Sequence, residues 1–315
     1  MRLLVTGGAG FIGRWVVKRL LEIGNCEIFV LDNLSNGEEE NLKEFEGEAR
    51  LGEILVGDIR DKNLLSSLFR NNFDLCIHLA AQVNVQKSID DPPETFDVNV
   101  LGTANLLEES RKNRVKFVLV STCMVYDECK DTESMDETYP VLPKSPYAAS
   151  KLAAENFAQA YHQTYKLPTV ILRPFNVFGP LQKSSSEGGV ISIFLRNKLT
   201  GKKLHVFGDG KQSRDFLYVE DCADFIVKAS LSTDAVGETI NVGSGIEVSI
   251  NELACKIAQD NKKVVHVEHP HPQSEINRML CNCEKAKKLL NWRDKTGLKE
   301  GLIRTEQWFK EKLGA

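Results

Sequence analysis

Three glycines near the N-terminus restrict the possible folds of this chain more than any other feature. Gly7, Gly10 and Gly13 follow an apolar run at residues 2–6 and lead into an amphipathic run at residues 14–23. Gly7 permits a tight turn, Gly10 lets a pyrophosphate approach the backbone, and Gly13 lets helix and strand pack closely. The helix N-terminus supplies free N–H groups for an anion. This order predicts a dinucleotide-binding strand–turn–helix unit rather than a simple turn.

The second predicted strand ends in a carboxylate. Residues 27–31 form an apolar run that stops at Asp32, close to the spacing at which a carboxylate binds the adenosine ribose of a dinucleotide. Its negative charge repels a 2′-phosphate, so Asp32 favours NAD over NADP. The turn-rich residues 33–37, beginning with Asn33, would wrap the same ribose. The alternative is that Asp32 only caps the end of a strand.

Strands and helices continue to alternate along the first half of the chain. Further apolar runs, separated by helical patterns, occupy residues 53–56, 74–79, 116–120 and 170–173. This alternation predicts an α/β fold with a Rossmann-type doubly wound parallel sheet and helices on both faces. Such sheets bind ligands at the carboxyl ends of their strands.

The C-terminal half shows shorter and more mixed elements. We predict an NAD-binding domain over residues 1–175 and a smaller mixed C-terminal substrate lobe over residues 176–315, with late strands and helices returning to the main sheet. Within the lobe, residues 214–219 are predicted to form one strand. The serine- and glycine-rich residues 182–189 are predicted to form a mobile loop beside the substrate.

Composition and charge exclude several classes of protein. The 315 residues are 42% hydrophobic and 27% charged, which is typical of a globular protein. A net charge of −4 gives no basic surface for nucleic acid or for an anionic membrane. No apolar run is long enough to span a bilayer, and the chain enters a strand at once, without a signal peptide. We expect a cytoplasmic protein that binds neither nucleic acid nor membranes.

The eight cysteines are scattered without the spacing of a disulfide framework, so we expect reduced thiols. His269 and His271 come shortly before Cys281 and Cys283, which superficially suggests a metal site. The intervening prolines and the one-residue cysteine spacing fit no common zinc pattern. We therefore predict a structural role for this segment and no bound metal.

Tyr147 and Lys151 are candidates for acid–base chemistry. They lie four residues apart at the start of a helical pattern, so they can point the same way. A tyrosine has an unperturbed pKa of about 10, which is too high for a base at neutral pH. A nearby ammonium group and the positive ring of an oxidised nicotinamide both favour the phenolate. The pair can thus form a base that removes a proton from a sugar hydroxyl, although many such pairs are simply surface residues.

The order of these motifs resembles the extended short-chain dehydrogenase/reductases. The glycine motif, Asp32, Asp58, Thr122 and the Tyr147–Lys151 pair occur in the order found in that family, and the likeness covers nearly the whole chain. Within the family, the chain is similar to the nucleotide-sugar 4-epimerases and dehydratases. The segments at residues 173–176 and 208–216 carry this closer resemblance.

The resemblance implies an NAD cofactor that stays tightly bound and is regenerated within each cycle, and a nucleoside-diphosphate sugar as substrate. The sugar nucleotide implied is a UDP-hexose or UDP-N-acetylhexosamine. The implied cofactor-binding residues are Gly7, Gly10, Phe11, Ile12, Gly13, Asp32, Asn33, Asp58, Ile59, Leu79, Ala80, Ala81, Asn99, Tyr147, Lys151 and Phe175. The implied substrate-binding residues are Asn176, Val190, Phe207, Gln212, Arg214 and Arg278.

Two of these residues have open alternatives. Arginine forks suit a diphosphate, and Arg214 is the best candidate for that role. Its alternative is a surface salt bridge with Asp215. For Arg278 the two readings stay balanced, because residues 274–278 depart from the Gly-Asp form common in the family.

The implied reaction begins at carbon 4 of the sugar. Tyr147, held as phenolate by Lys151 and assisted by Thr122, takes the proton of the 4-hydroxyl while hydride leaves C4 for the nicotinamide. Dehydratases of the family carry Asp and Glu after this threonine, whereas this chain has Cys123 and Met124. Methionine cannot accept a proton, so the sequence favours 4-epimerisation.

Cys123 keeps a second reaction open. A thiol has an unperturbed pKa near 8.5 and can donate or accept a proton. It could support dehydration, or isomerisation of a 5,6-ene, on a UDP-N-acetylglucosamine-type sugar, or it could be a small filler beside the sugar. A third alternative is a non-catalytic NAD-binding sensor, but such proteins typically lack the tyrosine or the lysine.

The resemblance also implies a homodimer. Relatives commonly pair through the two helices that correspond to residues 94–112 and 148–163. Apolar and small side chains on these predicted helices would meet their copies across a two-fold axis.

Overall fold

The computed structural model describes residues 1–130, 133–184, 189–258, 260–269, 272 and 275–314. Its strands are β1 Arg2–Thr6, β2 Glu27–Asp32, β3 Leu51–Val56, β4 Leu75–His78, β5 Lys116–Val120, β6 Thr169–Pro174, β7 Val177–Phe178, β8 Leu204–Phe207, β9 Ser213–Asp215, β10 Leu217–Tyr218, β11 Thr239–Val242, β12 Glu247–Ser249, β13 Val264–Val267 and β14 Arg278–Met279. Its α-helices are α1 Phe11–Ile23, α2 Lys62–Leu68, α3 Val85–Asp90, α4 Pro92–Phe96, α5 Gly102–Asn113, α6 Pro146–Tyr165, α7 Val190–Leu199, α8 Val219–Leu231, α9 Ile250–Ala258, α10 Glu284–Leu290 and α11 Leu298–Leu313.

A seven-stranded sheet in the order β11-β6-β5-β4-β1-β2-β3 forms the centre of the molecule. All its strand pairs are parallel. The central strands are almost wholly buried, because helices cover both faces of a parallel sheet. The predicted doubly wound α/β fold is confirmed.

Two apolar layers hold the helices on the sheet. On one face, α1 and α8 pack together through residues such as Val16, Leu20 and Phe225, and Trp292 completes the layer. On the other face, α2, α5 and α6 contribute Leu65, Leu106, Leu107, Ala154 and Ala158. Each layer excludes water from one side of the sheet, which leaves the carboxyl ends of the strands as the accessible edge.

The smaller sheets and their helices form a mixed lobe beside this edge. The lobe contains the pairs β10-β7 and β13-β8 and the three-stranded sheet β12-β9-β14. Phe178, Phe194, Leu253 and Phe309 lie in the core of the lobe, beneath α7, α9 and α11. After β10 the chain returns to the main sheet as α8 and β11. The domain boundary after residue 175 stays a prediction.

The single strand predicted at residues 214–219 is wrong. Its first residues belong to β9, which pairs with β12 and β14, whereas β10 pairs with β7 in another sheet. Phe216 lies between the two strands, and Val219 already begins α8. An apolar run shows no break when it changes sheet, because both parts are buried. Of the predicted mobile loop, residues 185–188 lie outside the described part of the chain.

Across the described residues, no helix combines the length and the apolar character needed to cross a membrane.

Phe225 provides a test of the packing between α1, α8 and the sheet. It is fully buried, and its ring meets Trp292 edge-on with 5.1 Å between centroids. We expect Phe225→Ala to lower the free energy of unfolding by about 3–5 kcal/mol, because it leaves a cavity in a tightly packed layer. Urea denaturation monitored by circular dichroism would measure the change. The control Ile303→Ala, at an exposed position of α11, should alter stability by less than about 0.5 kcal/mol.

Candidate active site

A cavity of about 730 Å³ opens at the carboxyl ends of the main-sheet strands. Its walls come from the β1–α1 turn, from the ends of β2, β4 and β5, and from the start of α6. The segments at residues 174–177 and 181–184 and the C-terminal part of α11 close the opposite side. The cavity therefore lies where open parallel sheets bind ligands, between the sheet and the smaller lobe.

The backbone of the glycine turn packs tightly against neighbouring backbone atoms beside the cavity. Gly7 has a φ of +73°, and a Cβ atom there would lie 2.6 Å from the amide nitrogen of Ala80. A Cβ atom on Gly13 would lie 2.0 Å from the carbonyl oxygen of Gly7. Gly10 precedes α1, and no side chain caps this helix N-terminus. The turn thus presents unshielded N–H groups to the cavity, a suitable site for a pyrophosphate.

Asp32 lies at the cavity end of β2 with a fixed orientation. One carboxylate oxygen accepts a hydrogen bond from the backbone N–H of Ala9 at 3.0 Å, and the other accepts from that of Leu34 at 2.9 Å. Burial raises the pKa of Asp32 above its usual value, against the effect of these two bonds. Asn33 lines the cavity beside it. The remaining lone pairs of the carboxylate suit the hydroxyls of a ribose.

Asp58 and Ile59 follow β3 and differ in their placement. Ile59 lines the cavity, whereas Asp58 does not. The Asp58 carboxylate accepts from the Arg60 guanidinium at 2.7 and 2.9 Å and from the Asn33 amide at 3.0 Å. Hydrogen bonds from Arg60 are the main reason that the pKa of Asp58 falls to about 2. Asp58 therefore holds Asn33 in place, and its contact with a cofactor stays a prediction.

Asn99 is buried behind the cavity rather than lining it. It lies in a π-helical turn, Asp97–Leu101, directly before α5, and such turns are frequent at functional sites. Its side-chain oxygen accepts from the Gln82 N–H at 2.8 Å, and its side-chain nitrogen donates to Ser150 Oγ at 2.9 Å. Asn99 thus ties the loop after β4 to the helix that carries Tyr147 and Lys151.

The structure brings Tyr147, Lys151 and Thr122 together at the cavity. Ser145 caps α6 by accepting from the Ala148 N–H at 3.2 Å, so Tyr147 lies in the first turn and Lys151 one turn later. Lys151 Nζ donates to the carbonyl oxygen of Val120 at 2.8 Å. The Thr122 side chain lies near the Tyr147 hydroxyl and acts to lower its pKa.

Burial dominates the electrostatics of the pair. It raises the pKa of Tyr147 to about 12, against the hydrogen bond with Thr122. It lowers the pKa of Lys151 to about 8, against the negative charge of Glu155. At pH 7 the surroundings therefore keep Tyr147 as a phenol and Lys151 mainly as an ammonium. Proton removal by Tyr147 needs a further positive charge nearby, which an oxidised nicotinamide carries.

Cys123 and Met124 also line the cavity, in a 3₁₀ turn that follows Thr122. Burial raises the pKa of the Cys123 thiol to about 12, while the charge of Arg214 acts in the opposite direction. The thiol is therefore protonated at neutral pH. Met124 contributes an apolar side chain with no group that can accept a proton.

The predicted substrate residues divide into two groups. Asn176 lines the cavity, next to the predicted cofactor-binding residue Phe175, and Gly189 does so beside Val190. The residues that do not line it are Val190, Phe207, Gln212, Arg214 and Arg278. Their contact with a substrate stays a prediction.

Both predicted diphosphate-binding arginines have carboxylate partners. Arg214 is paired with Glu275, so the alternative pairing with Asp215 is wrong. Asp215 instead accepts from the backbone N–H groups of Ser244, Gly245 and Cys281. Arg278 is paired with Glu247 at 2.7 Å.

No group of three or more histidine, cysteine or acidic side chains in the described part of the chain could hold a metal ion. The Cys281 and Cys283 sulfur atoms lie 3.4 Å apart in an apolar cluster. His269 binds Glu275 at 2.6 Å, and His271 lies outside the described residues.

Comparison with known proteins identifies the family of the chain. The model of the NAD dependent epimerase/dehydratase family matches residues 3–243. The chain belongs to this family. A UDP-glucose 4-epimerase of Mycolicibacterium smegmatis is 37% identical over 315 residues, with 99% of each chain covered. The predicted family, the expectation of an enzyme and the expectation of NAD as cofactor are confirmed.

Two solved structures share the whole fold. Pal from Bacillus thuringiensis has a TM-score of 0.97 and 53% identity, with 99% of this chain and 100% of that chain covered. The dTDP-glucose 4,6-dehydratase of Streptomyces venezuelae, solved with NAD bound, has a TM-score of 0.93 and 34% identity, with 100% and 98% covered. The family therefore includes both epimerases and dehydratases of nucleotide sugars.

The residues of this family member fit NAD. Gly7, Gly10 and Gly13 line the cavity at the uncapped start of α1, where a pyrophosphate would bind, and Asp32 lies one strand away where the adenosine ribose would lie. Tyr147 and Lys151 line the same cavity at the end of β5, three strands from β2. At about 4.8 Å per strand this separation is about 14 Å, a span that an extended dinucleotide bridges.

Sequence reasoning missed several side chains around the site. Glu155 lies one turn beyond Lys151 and acts on its charge, and the four-residue spacing that linked Tyr147 to Lys151 would have found it. Trp308 and Lys312 of α11 line the cavity from far along the sequence, and no local pattern indicates this.

Asp32 provides a test of cofactor selection in this family member. We expect Asp32→Ser to weaken NAD binding about tenfold, because a charged hydrogen bond to the ribose is lost, and to narrow the preference over NADP. Titration of the cofactor-free protein, followed by tryptophan fluorescence, would give both dissociation constants. Glu38→Gln, which removes another carboxylate lining the cavity, is the control and should keep the parent preference. NADP binding as tight as NAD binding in the parent would contradict the role of Asp32.

Proposed function

We propose that this protein is a nucleotide-sugar 4-epimerase that works through a transient 4-keto sugar. The observation that carries the proposal is the meeting of Tyr147, Lys151 and Thr122 at the cavity, followed by Cys123 and Met124 instead of a carboxylate pair. Epimerisation needs only the first three side chains, whereas dehydration also needs a group that removes the C5 proton.

The acidic residues that line the cavity lie far from Tyr147, Lys151 and Thr122. Asp32 and Glu38 are the carboxylates among its described lining residues, and both belong to the β2 end. Two strands lie between β2 and β5, so three strand spacings separate them, a distance of about 14 Å. Neither carboxylate is therefore placed to remove a proton from a sugar held at Tyr147, which favours the simpler reaction.

The proposed chemistry assigns a separate task to each residue. Tyr147 accepts the proton of the sugar 4-hydroxyl, Thr122 stabilises the phenolate by a hydrogen bond, and the Lys151 ammonium lowers the energy of the negative charge. NAD, when bound, supplies a reversible hydride acceptor for C4. Return of the hydride to the opposite face and of the proton to O4 leaves no net change in electrons or protons. The cofactor therefore stays bound and is regenerated in every cycle.

We propose a UDP-hexose or UDP-N-acetylhexosamine as substrate. This substrate class is supported by the relative from Mycolicibacterium smegmatis, a UDP-glucose 4-epimerase that this chain matches along its full length. The charge of Arg214 acts to lower the pKa of Cys123, so its guanidinium lies within electrostatic range of the proposed sugar site. A diphosphate would compete with Glu275 for it.

Cys123 supports a second candidate, chemistry at C5 and C6. It directly follows Thr122, lines the cavity and interacts electrostatically with Tyr147. As a protonated thiol it could donate a proton to a leaving 6-hydroxyl or to C6 of a 5,6-ene. On a 4-keto sugar, loss of the C5 proton and of the 6-hydroxyl would release one water. A non-catalytic NAD sensor is the third candidate.

One set of incubations tests these alternatives. We expect proton NMR of the protein with UDP-glucose or UDP-N-acetylglucosamine to show the anomeric signal of the 4-epimer, and Tyr147→Phe to reduce the rate by about 10²–10⁴-fold because the general base is lost. Tyr165→Phe, an exposed position of the same helix, is the matched control. Cys123→Ala should leave epimerisation within a few-fold of the parent.

Other outcomes would select the other candidates. A new 6-methyl or exocyclic-methylene signal that disappears in Cys123→Ala would favour C5/C6 chemistry. Full turnover in Tyr147→Phe would remove the proposed mechanism altogether. Binding of NAD without any turnover of the parent would favour the sensor.

We also propose a cytoplasmic homodimer. Phe96, Leu101 and Phe157 expose apolar side chains near α4, α5 and α6, the predicted pairing region. Exposed apolar groups on neighbouring helices are typical of a two-fold interface.

Light scattering would test the dimer. We expect a dimer mass for the parent at micromolar concentration and a monomer mass for Phe157→Glu, because the charge would be buried against its copy. Ile303→Glu, which adds the same charge to an exposed position of α11, should remain dimeric. A parent protein that scatters as a monomer would contradict the proposal.

A further inference from the structure

Three charged side chains form a buried row behind the proposed catalytic pair. Lys151, Glu155 and Arg173 have 3%, 1% and 5% of their surface exposed. Glu155 lies one turn after Lys151 on α6, so the two share a helix face. Arg173 projects from the neighbouring strand β6, and its guanidinium donates to both Glu155 oxygens at 2.5 to 3.2 Å. The Glu155 carboxylate thus lies between elements that carry two buried cationic side chains, away from water.

The end of β5 contacts the same helix face at three successive residues. The carbonyl oxygen of Val120 accepts from Lys151 Nζ, the hydroxyl of Ser121 donates to Glu155, and the side chain of Thr122 lies near that of Tyr147. These contacts fix α6 against the strand end. Glu155 is therefore held by Ser121 and Arg173 together, in a position set by the backbone that also orients Lys151.

Glu155 is the source of negative charge for Lys151 among the described residues. Of the other titratable groups around this row, Tyr147 shares the helix of Lys151, His78 on β4 interacts with the Lys151 charge, and Arg173 on β6 is paired with Glu155. His78 hydrogen-bonds Thr6 at 2.7 Å and Thr103 at 3.0 Å, and burial lowers its pKa to about 3, so it is neutral. Tyr147 is a phenol at pH 7, and Arg173 is a cation.

We infer that Glu155 is a positioning residue for the reaction, which keeps the buried Lys151 side chain charged and aligned with Tyr147. Ser121 and Arg173 hold its carboxylate in place. This inference rests on the proposed use of Lys151 in removing a proton from the sugar. It assigns Glu155 no contact with substrate or cofactor.

The direction of the expected pH shift follows from the positive charge that Lys151 must carry. Lys151 assists Tyr147 as an ammonium, which is present below its pKa and is lost as the pH rises through that value. Burial already lowers the pKa of Lys151 to about 8, and Glu155 acts against this. Removal of the Glu155 charge lowers the pKa further, so the ammonium is lost at lower pH.

Three variants separate charge from packing. We expect Glu155→Gln to move the alkaline limb of the kcat/KM profile to lower pH by about one unit, a roughly fivefold loss at pH 8, with less loss at pH 6. The double variant Glu155→Gln/Arg173→Met removes the pair together and should shift the limb in the same direction. Arg173→Met alone keeps the Glu155 carboxylate, so the alkaline limb should not move to lower pH. The control Glu108→Gln, at the surface pair with Arg111, should leave the profile unchanged.

A second measurement does not depend on turnover. The Lys151 Nζ resonance in ¹⁵N-lysine-labelled protein, assigned with Lys151→Arg, should titrate about one pH unit lower in the Glu155→Gln and double variants than in the parent. If the parent converts no nucleotide sugar, the proposed function fails, while this titration still decides the role of Glu155. An unchanged titration in a folded double variant would overturn the inference.

Discussion

The arrangement of this site depends on keeping an ammonium group charged where water cannot reach it. Transferring a charged amine into a protein interior costs several kcal/mol unless other groups compensate. Lys151 receives one carbonyl oxygen from the end of β5 and a neighbouring carboxylate from its own helix. Both groups come from elements of the main sheet and its covering helix, so the charge is maintained without any contribution from the smaller lobe.

The other end of the cavity solves an opposite problem, the approach of an anion to the backbone. Glycines occupy this turn because a Cβ atom on Gly7 or Gly13 would collide with backbone atoms of the turn or of the loop after β4. The exposed start of α1 then offers N–H groups to a pyrophosphate. The parallel sheet sets the distance between this end and Tyr147, which explains how a single edge can hold both halves of a dinucleotide.

Local patterns in the sequence predicted the features that depend on short spacing. The glycine turn, Asp32 at the end of β2 and the Tyr147–Lys151 pair are each contained within one or two adjacent elements, so their placement at the cavity could be predicted from residue type and spacing. The carboxylate partners of Arg214 and Arg278 could not be predicted, because Glu275 and Glu247 are distant from them in sequence and meet them only in the folded lobe. The break between β9 and β10 was missed for the same reason, since each strand takes its partner from a distant part of the chain.

The position of β11 has a consequence for how the chain reaches its native state. This strand covers the edge of β6, yet it is synthesised only after the residues of β7 to β10 and α8. Until then, the nascent sheet has an apolar edge with free hydrogen-bonding groups, which is prone to pair with other chains. Joining strands so far apart raises the contact order and slows folding. A chaperone that shields this edge during translation would therefore favour the yield of native protein more than the stability of the finished fold.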